Sequence, residues 1–108
     1  MQKRWVYVVF MCQQSIEKLL KGLYVLYIDD DVARVHSLSR IIGKYADKLP
    51  KAVDDSLYSL FNRLSAFYLS GRYPEYKERI SQSIGSDEAK DLLDKTKEAF
   101  RWLLTQRP

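Results

Sequence analysis

The residues best suited to chemistry form a polar stripe near the start of the chain. Gln13, Glu17 and Lys21 follow one another at steps of four, and Gln14 and Lys18 come one residue after Gln13 and Glu17. On a helix this spacing brings the five side chains close together, with Glu17 in the favourable orientation for pairing with Lys21. Their amides and charges offer donors and acceptors to the edge of a nucleotide base. The alternative interpretation is a solvated helix face that binds nothing.

Three residues further along the chain extend this candidate site. His36 is the only histidine, and Arg72 and Tyr73 are adjacent. The planar guanidinium of Arg72 suits a phosphate, and Tyr73 or Tyr76 can stack on a base, with His36 beside them. The alternative is structural: Arg72 caps a helix or pairs with Glu17, and Tyr73 packs under the following proline kink. We assign no catalytic residue and no metal ligand. The candidate nucleotide-binding residues are Gln13, Gln14, Glu17, Lys18, Lys21, His36, Arg72 and Tyr73.

Composition and charge limit the classes of function. The 108 residues are 46% hydrophobic and 30% charged, which is typical of one globular domain. A formal net charge of +4 permits an anionic ligand but is far below that of a dedicated nucleic-acid tail. With one cysteine and one histidine, the sequence indicates neither an internal disulfide nor a zinc centre, and we expect no cofactor. Lys18 and Lys21 interrupt any run long enough to span a membrane, and no signal-peptide cleavage pattern is found. We therefore expect a cytoplasmic protein.

Hydrophobic residues recur at steps of three and four along most of the chain, which predicts an all-α fold. On the first helix they form one apolar band: Trp5, Val8, Val9, Cys12, Ile16, Leu19, Leu20, Leu23 and Leu26. Breaks and caps predict a bundle of four main helices and a short one, over about residues 3–27, 37–48, 52–70, 75–83 and from 86 onward. Ser37 is the expected N-cap of the second helix, and Ser86 opens the last. Asp29 to Asp31 should form a solvated loop.

The run from Cys12 to Gly22 resembles the signature helix of the HEPN family, the nucleotide-binding domain of prokaryotes and higher eukaryotes. Its Gln-Gln-Ser-Ile-Glu-Lys-Leu-Leu-Lys-Gly segment follows the family pattern of amides, a Glu-Lys pair, an apolar residue and a lysine. Two further segments, His36-Ser37-Leu38 and Gly71 to Glu75, resemble later blocks of the family pattern and occur in the same order. The resemblance implies an up-and-down helical bundle, one domain over residues 1–108, and a homodimer. It also implies partnership with a nucleotidyltransferase of the MNT type, in a two-component, toxin–antitoxin-like system.

One departure from the family pattern concerns catalysis. HEPN ribonucleases resemble one another in an arginine followed four to six residues later by a histidine, whereas the arginines before His36 are Arg34 and Arg4. We therefore predict a non-catalytic module that binds a nucleotide or its partner protein. A divergent ribonuclease that uses His36 and Arg72, with RNA as its substrate, is the alternative. A third, simpler hypothesis is an interaction domain without any small ligand.

A second departure concerns the start of the fold. Family members usually carry another amphipathic helix before the glutamine-bearing one, but few residues precede Phe10 here. Without that helix an apolar groove should be open to solvent, and such grooves commonly bind other proteins. We expect homodimerisation or exchange of helices between two copies to cover it.

Overall fold

The protein is a bundle of α-helices. A computed structural model describes residues 2–32, 36–70 and 85–108. Within these ranges lie α1 (Gln2–Tyr27), α2 (Leu38–Gly43), α3 (Asp55–Ser70), α4 (Ser86–Leu104) and a 3-10 turn at Ala46–Lys48. The predicted all-α bundle is confirmed. The short helix expected over 75–83 lies outside the described residues. None of the described helices is long and apolar enough to cross a membrane.

Helix α1 is central because it packs against each of the other three helices. Its buried face includes Val9, Ile16, Leu20 and Leu23, each no more than 1% exposed. Each such side chain contributes on the order of 1.5–3 kcal/mol when fully buried. The prediction that Leu26 belongs to this band is wrong, since its side chain is 57% exposed.

The end of α1 is held by Tyr27, which takes the inward position that the sequence had suggested for Leu26. Its ring stacks on that of Tyr45, with 5.7 Å between centroids. Tyr45 is fully buried and donates its hydroxyl to the carbonyl of Leu20 at 2.6 Å. Burial of Tyr45 also explains why α2 ends at Gly43 rather than near Lys48: the backbone at Tyr45 leaves helical geometry, at φ −135°, and a 3-10 turn follows.

One of the two later helices begins where the sequence predicts. Helix α3 begins at Asp55 rather than Ala52, because the Asp54 carboxylate accepts the Leu57 N–H at 2.9 Å and so caps the first turn. Helix α4 begins at Ser86, as predicted, with Gly85 at its N-cap. Asp29 to Asp31 are exposed and follow the end of α1, as expected of a solvated loop.

Helices α1 and α4 run side by side in the same direction. The Tyr27 hydroxyl at the end of α1 donates to the carbonyl of Gln106, just beyond α4. Closer to the starts of both helices, Cys12 lies beside Thr96. Gln106 is itself buried and accepts the Lys51 N–H at 3.1 Å. These contacts position the N-terminal half of α1 next to the middle of α4.

The start of α2 is capped from another helix, and this gives a first testable prediction. Ser37 occupies the N-cap position but makes no capping bond with its side chain. Instead, Ser65 Oγ of α3 accepts the Leu38 N–H at 3.1 Å. We expect Ser65→Ala to lower the free energy of unfolding by about 1–2 kcal/mol, because a buried N–H loses its acceptor. Ser37→Ala should cost less than about 0.5 kcal/mol. Urea denaturation of both variants checks this, and a larger cost for Ser37→Ala would contradict it.

Candidate functional site

A hydrogen-bonded cluster, here called the Glu17 cluster, joins α1 to the segment that precedes α2. It comprises Gln13, Glu17, Lys21 and His36. Gln13 Nε2 donates to Glu17 Oε1 at 2.8 Å, and Lys21 Nζ donates to Glu17 Oε2 at 3.2 Å. His36 Nδ1 lies 3.2 Å from Glu17 Oε1. The spacing of Gln13, Glu17 and Lys21 in the sequence already places them on one helix face. The contact of His36 with Glu17 depends on the tertiary structure.

The Glu17 carboxylate is buried but remains ionised. Its residue is 7% exposed. Burial raises the pKa of Glu17, but the hydrogen bonds from Gln13, Lys21 and His36 together outweigh that effect and lower it below its ordinary value. An ionised carboxylate only accepts hydrogen bonds, so the proton of the His36 ring must be on Nδ1. In a neutral ring, Nε2 is then left as an acceptor.

The cluster divides into an inward and an outward part. Gln13 is fully buried, and its Nε2 also approaches the His36 carbonyl at 3.4 Å. Gln13 and Glu17 therefore serve the fold. The Lys21 and His36 side chains are 26% and 34% exposed, so Lys21 can present a donor to a ligand and Nε2 of a neutral His36 ring an acceptor. Gln14 stands beside the cluster and donates to Gln13 Oε1 at 3.0 Å.

Sequence reasoning missed one aromatic neighbour of this site. The ring of Tyr68, on α3, lies 5.3 Å from the ring of His36 and makes an edge contact with Phe10 at 6.4 Å. In the sequence, Tyr68 follows Leu57, Leu60, Phe61, Leu64 and Phe67 at helical spacing, which indicates only a packing role. Its proximity to His36 depends on how α3 crosses α1. Helical periodicity carries no information about that crossing.

The remaining predicted site residues are Lys18, Arg72 and Tyr73. Lys18 is exposed, one helix position from Glu17. Arg72 and Tyr73 lie outside the described residues, as does Arg34, so the placement of Arg72 and Tyr73 at the site stays a prediction. Among the residues that the structure describes, no group of three or more histidine, cysteine, aspartate or glutamate side chains could hold a metal ion.

The lowered pKa of Glu17 predicts how stability depends on pH. A carboxyl group with a lowered folded-state pKa stabilises the fold fully above its ordinary pKa, here 4.5, and that contribution is lost as the pH falls through the lower folded-state value. We expect Glu17→Gln to show a smaller loss of stability on acidification than the wild type. Urea denaturation between about pH 6 and pH 2 measures it. Equal pH dependence in the two proteins would show that Glu17 does not carry this effect.

An open apolar groove lies on another side of α1, between it and α4. Tyr7 and Met11 stand at its edge, 66% and 52% exposed, while Leu93 and Phe100 of α4 face them. The start of α1 is therefore not covered on all sides by the residues that the structure describes. Large apolar side chains with such exposure are typical of surfaces that bind other molecules.

Comparison with known proteins identifies a family for this chain. The family model described as "HEPN domain" matches residues 2–106. No curated protein and no solved structure matches the chain. The family match spans nearly the whole chain and includes every member of the Glu17 cluster. This chain therefore belongs to the HEPN domain family.

Proposed function

We propose that this chain is a non-catalytic, homodimeric HEPN module that binds a nucleotide, a partner nucleotidyltransferase of the MNT type, or both, in a two-component, toxin–antitoxin-like system. The observation that carries the proposal is the outward part of the Glu17 cluster. Lys21 and His36 bond to the same buried carboxylate, so Lys21 Nζ and the exposed edge of the His36 ring are held near one another at the surface.

The chemistry of this surface suits a phosphate group. Glu17 orients Lys21 and His36 from below, and the exposed Lys18 adds a further positive charge nearby. Charge-assisted hydrogen bonds from such donors are stronger than neutral ones. Protonation of the His36 ring on binding would add a second donor on Nε2. Because Glu17 already neutralises Lys21, the affinity depends on His36 and Lys18 as well.

One observation favours the alternative function, a divergent ribonuclease. Glu17 holds the Nδ1 proton of His36 and leaves Nε2 free to accept a proton, which is the arrangement of a general base. Against it stands the sequence, because no arginine precedes His36 at the spacing of HEPN ribonucleases. A cleaving enzyme would thus need Arg72, or another cation, to stabilise charge on the phosphate.

Isothermal titration calorimetry with a panel of nucleotides tests the proposal. We expect binding heat with the wild type. Lys21→Ala should bind roughly tenfold more weakly, which corresponds to about 1.4 kcal/mol and is close to the lower limit of about 1.5 kcal/mol for a hydrogen bond to a charged group. Lys44→Ala, which changes an exposed lysine beyond α2, is the matched control and should bind as the wild type does. Absent heat at millimolar nucleotide would remove the nucleotide from the proposal and leave only protein association.

Two further measurements separate the remaining parts of the proposal. Molecular mass in solution should correspond to a dimer. Incubation with RNA should give no cleavage. If RNA is cleaved and the activity is lost in both His36→Ala and Arg72→Ala, the ribonuclease alternative replaces the non-catalytic module.

A further inference from the structure

We infer that the groove between α1 and α4 docks an acidic amphipathic helix from a partner protein. This inference deepens the proposed function, since it rests on the part in which the chain binds another protein. The helix would place apolar side chains on the groove floor and two carboxylates, one turn apart, against Lys97 and Arg101.

The shape of the groove suits a short stretch of helix. It encloses about 670 Å³ and is lined along α1 from Tyr7 to Ser15 and along α4 from Leu93 to Arg101. Eight residue steps on each helix give a length of roughly 12 Å, or about two helical turns. Two parallel helices present a valley between them, into which the side-chain ridge of a third helix can pack. Apolar residues of the partner at i, i+4 and i+7 would span this length.

The charge of the groove selects an acidic partner. Both charged residues of its lining, Lys97 and Arg101, are cations that stand four positions apart on α4. In the part of the chain described by the structure, neither is engaged in an ion pair, whereas Lys95 pairs with Asp91 at 3.1 Å. A second copy docked groove to groove about a twofold axis would bring like charges together, which is unfavourable. An acidic helix therefore fits this surface better than a second copy does.

The floor of the groove holds a hydroxyl that the fold leaves poorly satisfied. Thr96 is 4% exposed, and its Oγ1 has no hydrogen-bond partner in the described residues beyond a weak contact with the Cys12 thiol. The Oγ1 atom is itself inaccessible at the surface, so a docked helix would contact the apolar side chains around it rather than the hydroxyl.

The floor of the groove and the Glu17 carboxylate face different directions from α1. Cys12 and Glu17 are five residues apart, which corresponds to roughly 140° around the helix axis. Nucleotide binding and peptide binding can be measured separately.

A synthetic helical peptide tests this inference. The probe is a fluorescent, alanine-rich peptide with leucines at i, i+4 and i+7 and two glutamates one turn apart beside them; a second peptide carries lysines in place of the glutamates. Fluorescence anisotropy should show that the wild-type chain binds the acidic peptide at least roughly tenfold more tightly than the basic one, since two ion pairs replace two repulsions. The double variant Lys97→Glu/Arg101→Glu should reverse this preference. Lys90→Glu/Lys44→Glu has the same net charge, with both changes outside the groove lining, and should retain the wild-type preference.

Three outcomes would overturn the inference. One is equal affinity for the two peptides, and another is a preference that reverses in the control variant as well. The third is a dimer in solution that Met11→Glu dissociates, because the groove would then be the seam between two copies. If nucleotide calorimetry fails while the charge reversal succeeds, the nucleotide role is lost and the docking groove stands.

Discussion

Replacement of Glu17 by alanine should lower the free energy of unfolding by about 2–4 kcal/mol. The carboxylate accepts hydrogen bonds from Gln13, Lys21 and His36, so its loss affects three groups at once. Lys21 and His36 are partly exposed and can turn towards water. Gln13 is fully buried and cannot. Most of the cost should therefore come from the buried Gln13 N–H that loses its acceptor and from the broken link between Glu17 and His36, which joins α1 to the segment before α2.

Urea denaturation of Glu17→Ala measures this cost, and Glu88→Ala is its matched control. Glu88 also forms an ion pair, with Arg63 at 3.5 Å, but its side chain is 40% exposed. Exposed pairs of this kind contribute about 0.2–1 kcal/mol. If both variants lost the same small amount, the Glu17 cluster would be an ordinary surface feature and would not orient Lys21 and His36 for a ligand.

Phe61→Ala should have the largest effect, a loss of about 3–5 kcal/mol. The Phe61 side chain of α3 is fully buried in the core, so its removal leaves a cavity that the surrounding helices fill only in part. A domain whose total stability is about 5–15 kcal/mol is left marginal by such a change. Thermal unfolding followed by circular dichroism should show a much lower midpoint.

Tyr7→Ala is the control for this aromatic truncation. Tyr7 is 66% exposed at the edge of the groove, and its replacement should change stability by no more than about 0.5 kcal/mol. A large loss on Tyr7→Ala would mean that this end of α1 is already covered in the protein in solution. Thermal unfolding of the two variants thus tests both the core and the openness of the groove.

These two surfaces give α1 a double role in the proposed function. One side holds the Glu17 cluster, whose outward residues suit an anion. Another side, with Met11 and Cys12, opens to a cationic groove. The core between them is formed by the band of buried residues that packs α1 against the other three helices. At the groove, stability and binding are therefore separable, because variants at its exposed edge leave the core intact.

Local spacing was sufficient to predict the four described α-helices, although not all of their ends, and one contact of the Glu17 cluster. Steps of three and four placed Ile16, Leu20 and Leu23 in the core, and the structure confirms their burial. The same period placed Gln13 and Glu17 within reach of each other, as their 2.8 Å hydrogen bond shows. Such contacts are predictable because residues four apart on a helix are neighbours whatever the helix packs against.

Only the tertiary structure decided which residues from other elements reach α1. His36 bonds to Glu17 from a segment 19 residues away, Ser65 replaces Ser37 as the cap of α2, and Tyr68 lies against the His36 ring. The groove, too, depends on the parallel arrangement of α1 and α4. Helical periodicity states which face of a helix is buried but not which partner covers it. Which helix covers that face depends on the direction in which the chain returns after each helix. In this fold one side of α1 is not covered by any described residue.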